Sequence, residues 1–448
     1  MLSDFAETRR VDYSLILYDV VKAYLLIYFT TMAEPSIATT IATSILTSLI
    51  PVIIAHGAEL SMFQTEAAIE WAKENLYIPT GVRRNRRDSG KGEIWVDSML
   101  RGNPERMKDT LRMTPRQFKL LLQWLEEEAG FKTRYVSSRV KLAIFLYIVT
   151  QNAPWRTIRK HFGVSLRTVM KSFYEVLDGI IKHLYQAVVR LPPDEVPKEI
   201  QGNPRLMPFL EGCRGVVDGS HIPFVPLGED PAPWRNRQGF LSQNILAACD
   251  FKLNFAYIRA GYEGSLSDRT VFESAIQADF QVPGTDTYLV ADAGYDGVSI
   301  HRGRLLTPYQ NVHCNLKEWE RGRQQPQTKE ELFNLHHASL RSAVERIFGV
   351  WKGRFQILRS PRRLPIRTQR KLIYALAALH NFLNLTGSNP DAEYHRLEAR
   401  GLLPVEEDVD KLHPPRRDGN TADLRRRDEI AEKMWDSYLN NRAVDVLD

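Results

Sequence analysis

The sequence predicts an α/β protein: a mixed sheet flanked by helices, preceded by an all-α domain with a helix-turn-helix. Three observations predict it. Between residues 114 and 183, apolar residues recur at helical spacing behind recognisable helix starts. From Arg214 onward the texture changes to short, β-rich runs. Beyond those runs, helices and strands alternate, the pattern of a sheet covered by helices.

The helical part begins at Thr114-Pro115-Arg116-Gln117. Thr114 can cap, Pro115 suits the first turn, and Gln117 can reach back to complete a capping box. Phe118, Leu121, Leu122 and Leu125 then share one helical face. A second helix is expected over 140–150, a third over 155–162 and a fourth over 166–183. Between the last two stand Gly163, which permits a turn, and Ser165, which can cap the helix after it. Ile158, Phe162, Val164 and Val169 would form the small core of this helix-turn-helix. Arg167, Thr168 and Lys171 would face outward from the start of its second helix, where a DNA reader contacts bases or phosphates. A helical hairpin that only packs would show the same pattern, and both readings stand at this point.

In the β-rich part, Gly215-Val216-Val217-Asp218 reads as a buried strand ending in an acid. Residues 244–250 and 255–262 read as a hairpin around Lys252-Leu253-Asn254. A helix is expected over 267–275, a strand over 287–291, and helices over 338–350 and 367–385. The stretch 329–337 is uninformative.

Apolar residues make up 43% of the 448 and charged residues 25%, enough to bury a core. Lys and Arg outnumber Asp and Glu by 60 to 54. That mild excess permits a nucleic-acid partner without demanding one, because steering also needs clustering. Three scattered cysteines, Cys213, Cys249 and Cys314, build neither a disulfide framework nor a zinc knuckle, so a reducing compartment is expected. Cys314 beside His313 reads as a chance pair. Residues 36–55 carry no charge and have the length of a bilayer span, but they are rich in Ser and Thr and contain Pro51, so no membrane span is expected. The run RRNRR at 83–87 reads as a solvated loop or as a nuclear-import or DNA-backbone patch. The expected divisions are an apolar extension (1–80), a basic linker (81–110), the helical domain (111–200), the sheet domain (210–386) and a charged tail (387–448) with at most one helix near 425–438.

The chemistry rests on Asp218, Asp268, Asp292 and Glu345. Burying an acid behind an apolar strand is costly unless it is paired or binds a cation. Asp218 follows GVV and precedes Gly219-Ser220-His221; Asp292 follows YLVA and precedes Ala293-Gly294-Tyr295. Glu345 lies in a helix whose apolar face includes Val344, Ile347, Phe348 and Trp351, and Arg341, one turn earlier, can orient its carboxylate. Two strand acids and one helix acid could converge on hard divalent cations, which take oxygen ligands. Taken singly, each strand acid reads as a turn or cap and Glu345 as a surface ion pair. His221 is structural or a support for Asp218. Arg346, Lys352 and Arg354 either hold phosphates or form a solvated helix face.

The strings VVDGSHIPF, GYEGSLSDRTVF, LVADAGYD, SAVERIFGVWKGRF and LHNFL, in that order and spacing, resemble the transposase nucleases of the PIF/Harbinger superfamily over roughly residues 111–385. The resemblance implies a ribonuclease H-like fold and a DDE endonuclease domain over 210–386. It implies an Asp-Asp-Glu site of Asp218, Asp292 and Glu345 that binds two divalent ions, Mg²⁺ or Mn²⁺, with Asp268 as a further metal-facing acid. Two such ions hydrolyse a phosphodiester bond. The implied partners are DNA, a separate Myb-like DNA-binding protein and further copies of the chain. The implied location is the nucleus, with the cytoplasm second. The competing reading is a domesticated DNA-binding protein that no longer cuts.

Overall fold

The computed structural model describes residues 90–131, 136–228, 230–282, 284, 286–295, 304–312, 325–360, 362–403 and 421–445. The uncharged stretch 36–55, the basic run 83–87 and the His313–Cys314 pair lie outside them. Among the described residues no helix is long and apolar enough to cross a membrane. The two described cysteines, Cys213 and Cys249, are free and buried.

The helical half starts earlier than expected. Helices α1 (Lys91–Arg101) and α2 (Pro104–Leu111) occupy most of the segment read as a basic linker. Val96 and Met99 on one, and Met107 and Leu111 on the other, recur at helical spacing and are buried, which outweighs the surrounding charge. Helix α3 (Pro115–Glu128) opens with the capping box read from the sequence: Thr114 Oγ1 accepts from the Gln117 N–H and Gln117 Oε1 accepts from the Thr114 N–H. The same Gln117 donates through Nε2 to the Leu383 carbonyl at 3.1 Å. Helix α4 (Ser138–Gln151) is buried on nearly every face and is the axis of this half.

The helix-turn-helix forms at the expected residues, as α5 (Trp155–Phe162) and α6 (Leu166–Gly179). Gly163 takes the left-handed conformation (φ 64°) that its lack of Cβ allows, and Ser165 Oγ accepts from the Thr168 N–H. Ile158, Phe162 and Val169 are buried, with Val164 packed against them. Arg167 and Lys171 are exposed. The Thr168 hydroxyl lies 2.7 Å from Ser165 Oγ, at the start of the same helix. Beyond α6 the chain continues through a π-helical turn (Ile180–Leu184) into the short helices α7 (Tyr185–Val188) and α8 (Lys198–Gln201).

Five strands follow: β1 (Cys213–Pro223), β2 (Ser242–Cys249), β3 (Phe255–Glu263), β4 (Tyr288–Ala291) and β5 (Leu305–Leu306). Helix α9 (Asp268–Ala278) sits between β3 and β4 in sequence. Spatial order is β3-β2-β1-β4-β5, with β1 antiparallel to β2, β2 to β3, and both the β1–β4 and β4–β5 pairs parallel. This is the mixed sheet of a ribonuclease H-like fold. The hairpin turns where expected, with Leu253 at φ 57°. Strand β1 runs five residues beyond Asp218, because β2 pairs with it as far as Pro223. Asp218 is therefore a mid-strand acid and not a strand-end one.

Helices α10 (Lys329–Arg354) and α11 (Ile366–Leu385) cover one face of the sheet. Helix α10 begins nine residues before its expected start. The uninformative stretch is its first turns, where Leu332, Phe333, Asn334 and His337 are buried. Val216, Ile245 and Ala247 on this face share one continuous core with the helical half, through Val344, Ile347, Trp351 and Leu376. The opposite face carries a smaller core, with Val217, Leu246 and Ala248 against Phe272 and Tyr295. Burying an apolar side chain the size of Phe255 or Phe348 contributes about 1.5–3 kcal/mol.

The carboxyl-terminal stretch holds two helices where at most one was expected: α12 (Pro390–Ala399) and α13 (Thr421–Asp445). Glu393 of α12 pairs with Arg354, and Ile430, Ala431 and Met434 of α13 enter the main core.

Arg354 is almost fully buried. It meets Glu393 Oε2 at 2.8 Å, donates to Asn384 Oδ1 at 2.9 Å and lies 3.0 Å from His380 Nδ1. His380 Nε2 faces the Leu253 carbonyl at 2.8 Å, so the imidazole is neutral with its proton on Nε2. Burial, and then the Arg354 charge, hold its pKa well below the ordinary value. An unfolded His takes up a proton near pH 6.5 while the folded one does not, so this site withdraws stability as pH falls below about 6.5. Urea denaturation between pH 8 and 5 should show stability falling toward acid, with a shallower fall in His380→Gln. An equal fall in both proteins would show that His380 does not carry the dependence.

Candidate active site

Strand β1 is the central strand, and Asp218 sits at its middle with 8% exposure. Its neighbours explain how a carboxylate survives there. Oδ1 accepts the Gly219 N–H at 2.8 Å, and Oδ2 lies 3.5 Å from Arg341 Nη1. The other terminal nitrogen of Arg341 holds Glu345 Oε1 at 2.6 Å. Arg341 thus bridges the first strand acid and the helix acid. Glu345 is exposed, so its carboxylate is open to solvent on one side.

Asp292 follows β4 directly. Val217 of β1 pairs with Ala291 of β4, so Asp218 and Asp292 are the next residues along two parallel neighbours. That register places both acids at the same level of the sheet.

Asp268 arrives from the other face. It is the first residue of α9, but Ser267 is the cap, accepting from the Thr270 N–H, so Asp268 is released from capping. Its Oδ1 accepts from Asn244 Nδ2 at 3.0 Å, and the same nitrogen donates to the Leu266 carbonyl. The carboxylate lies where a side chain on residue 219 would be: a Cβ on Gly219 would overlap it. Glycine beside Asp218 is therefore what lets the two acids approach through the sheet.

Tyr295 lies buried at the Gly219 backbone. Burial first, and then the charges of Asp268, Asp218 and Asp292, push its pKa well above the ordinary 10. His337, one turn before Arg341, is buried with Nε2 3.0 Å from the Leu306 carbonyl. Burial is the main cause that pushes it down to about 4, the nearby Asp292 acting in the opposite sense.

The basic residues near Glu345 are not a solvated face. Lys352 is buried and donates to Ser220 Oγ at 2.8 Å, two residues along the strand from Asp218. Arg354 is locked in its internal network, and Arg346 lies 3.3 Å from Asp391. His221 Nδ1 meets Ser242 Oγ at 3.0 Å, a structural placement.

Among the described residues, no group of three or more acidic, His or Cys side chains stands as a ready metal cage. In kind, the donors suit a hard divalent cation, since all are carboxylates. In arrangement, the Arg341 guanidinium supplies the positive charge between Asp218 and Glu345.

The sequence reading missed Asn244, Tyr295 and His337. A signal existed for the last: His337, Arg341 and Glu345 follow at four-residue spacing and share one helix face. Gly219→Ala should force Asp268 away and lower stability by about 1–3 kcal/mol, as overpacking does. An unchanged melting temperature would show that Asp268 does not pack on Gly219.

Comparison with known proteins bears on this arrangement. The family described as DDE superfamily endonuclease matches residues 217–381, the span from β1 through most of α11. A domain of unknown function (DUF8040) matches residues 88–182, the helical half up to the end of the helix-turn-helix. The chain is 23% identical over 319 residues to "Putative nuclease HARBI1" of Homo sapiens, covering 64% of this chain and 84% of that protein. It is 22% identical over 261 residues to "Protein ALP1-like" of Arabidopsis thaliana, covering 54% of this chain and 60% of that protein. No solved structure matches the chain. Residues 217–381 therefore form a DDE superfamily endonuclease domain, and the chain is a distant homologue of the proteins named "Putative nuclease HARBI1" and "Protein ALP1-like".

Proposed function

We propose that the chain is a divalent-metal-dependent DNA endonuclease of the transposase type, cutting phosphodiester bonds with Asp218, Asp292 and Glu345 and with Asp268 as a further acidic ligand. One observation carries the reading: Asp218 and Asp292 stand at the same level of two parallel strands, and Arg341 ties Asp218 to Glu345 on the helix that crosses them. Asp218, Asp292, Glu345 and Asp268 would hold two divalent ions, Mg²⁺ or Mn²⁺, whose chemistry would be to activate a water and to stabilise the leaving oxygen of the phosphodiester.

The chain's own part is positioning. The Gly219 N–H fixes Asp218, and Asn244 fixes Asp268. His337, held neutral by burial, packs at the end of β4 beside Asp292. Glu345 faces solvent, the side from which a duplex arrives. Arg341 keeps the Asp218 and Glu345 carboxylates together by offsetting their repulsion. DNA recognition is assigned to α6, with Arg167 and Lys171 outward and Thr168 supporting the cap. The run 83–87 fits import to the nucleus, where a Myb-like partner and further copies of the chain would assemble on the DNA.

The second reading, a DNA-binding protein that does not cut, is favoured by the bridging position of Arg341, whose guanidinium already offsets the charges of Asp218 and Glu345.

Cleavage decides between them. Asp218→Asn, Asp292→Asn and Glu345→Gln should each abolish Mg²⁺-dependent nicking while circular dichroism and DNA binding in EDTA stay as in the wild type. Part of the lost rate should return in Mn²⁺, which such sites bind more tightly. Any one variant cutting at the wild-type rate removes that residue from the site, and a wild type that binds but never cuts establishes the second reading. In a binding titration, Arg167→Ala with Lys171→Ala should lower the salt slope of DNA affinity by about 2, one per lost phosphate contact. An unchanged slope would mean that α6 only packs.

A further inference from the structure

Two stretches of the chain contain no Asp or Glu at all. One runs from residue 129 to 174 and holds the helix-turn-helix as far as Tyr174; the other runs from 346 to 390 and follows Glu345. They are far apart in sequence and meet in the fold. Arg362 lies over the Trp155 ring, 4.9 Å from its centroid, and hydrogen-bonds to the Ala153 carbonyl, while Asn152 Nδ2 reaches the Ser360 carbonyl at 3.5 Å. Trp155 is in turn packed edge-on against Phe173 of α6, with ring centroids 5.1 Å apart. The turn after the candidate catalytic helix is thus seated on the helix-turn-helix.

Several cations in these stretches borrow acids from elsewhere in the chain. Arg139 pairs with Glu93 and Asp97, Lys141 with Glu175, and Lys371 with Asp178. At the junction this compensation stops. Arg156, Arg159, Lys160, Arg359, Arg363 and Arg367 are exposed, and none has an acidic partner among the described residues. Arg156 and Arg363 are the immediate chain neighbours of the stacked pair. Arg156, Arg159 and Lys160 share one face of α5. Beneath them, burial pushes the Arg362 guanidinium down to about 10, so it remains charged near neutrality. Six surface cations with no acidic partner among the described residues, beside the half-buried Arg362, repel one another, and a linear polyanion relieves that repulsion along its length.

We infer that the junction between α5 and the 359–367 turn is a docking track for the sugar-phosphate backbone of DNA, a surface separate from the outward face of α6. The track engages phosphates without reading bases, because its donors are arginine and lysine side chains on an exposed ridge. It lies past the end of the same helix that carries Glu345. Nine residues at 1.5 Å rise separate Glu345 from Arg354, about 14 Å along the axis. A duplex held at the track is therefore held at a fixed distance from the carboxylates. The inference rests on DNA being the substrate, as proposed above.

The test is duplex binding in EDTA, so that it is independent of cutting, with affinity followed from low to high salt. Arg156→Gln with Arg363→Gln should lower the slope of log affinity against log salt by about 2, and to the same extent on unrelated sequences. Arg156→Lys with Arg363→Lys keeps the charges and should retain the wild-type slope, which a merely structural role would not predict. Thermal melting of both variants should match the wild type, since the residues are exposed. A wild-type slope in the Gln pair, with DNA bound and cut normally, overturns the track alone. A wild type with no salt-dependent affinity for duplex, or one that prefers an acidic polypeptide such as polyglutamate, overturns the track together with the DNA reading beneath it.

Discussion

A carboxylate buried in the middle of the central strand is the constraint to which the rest of the site answers. Asp218 occupies a position where the sheet would otherwise place an apolar residue, with Val216 and Val217 before it and Ala247 opposite. A buried charge without partners costs several kcal/mol, by about the amount that breaking a buried ion pair does. The fold offsets that cost locally. A glycine follows, so that its N–H can be donated back to the carboxylate. Arg341 reaches down from α10 with a guanidinium shared with Glu345. The absence of a side chain at 219 admits Asp268 from the opposite face, and Asn244 on the neighbouring strand holds it there. Each of these residues is explicable only through Asp218. Together they bring acids from three separate elements toward one region.

Helix α10 is the element that converts this arrangement into something mechanical. Its inward face carries His337, Arg341, Glu345, Phe348 and Lys352 at three- and four-residue spacing. These meet the ends of β4 and β5, then Asp218, then Ser220 in turn. Its outward partners lie elsewhere: Arg354 is fixed by α11 and α12, and Ile430, Ala431 and Met434 of α13 share its core. A helix clamped at so many points holds Glu345 in a fixed place on Arg341, with its carboxylate open to solvent on one side. The stacking of Arg362 on Trp155 extends the clamp to the helical half. Gln117 adds a second link, completing its own helix start while donating to the end of α11. The helix-turn-helix and the sheet share a continuous core, so each is fixed in position relative to the other.

Several features of this fold were legible in the sequence because their causes are local. The capping box at Thr114, the turn at Gly163, the cap at Ser165 and the hairpin around Leu253 follow from backbone and side-chain preferences within a few residues. So does the strand character of 288–291 and the helical phase of 344–351. The pairing of Arg341 with Glu345 is a four-residue relation and was visible for the same reason.

What the sequence could not determine depended on contacts between distant segments. Strand β1 continues past Asp218 because β2 pairs with it there, and pairing is not written in the strand itself. The first turns of α10, and helices α1 and α2, carry too much charge to announce themselves; each is held by apolar residues that find their partners only in the assembled core. The charges of Lys352 and Arg354 read as solvated on a helix wheel, yet both are buried, since Ser220, Glu393 and Asn384 come to them from other elements. The sequence by itself determined the identity and order of the acids and the local turns around them. Only the tertiary structure decided that Asp218 and Asp292 stand side by side, that Asp268 enters through the gap at Gly219, and that one arginine joins strand to helix. Side-chain chemistry is fixed residue by residue, whereas proximity is a property of the packed chain.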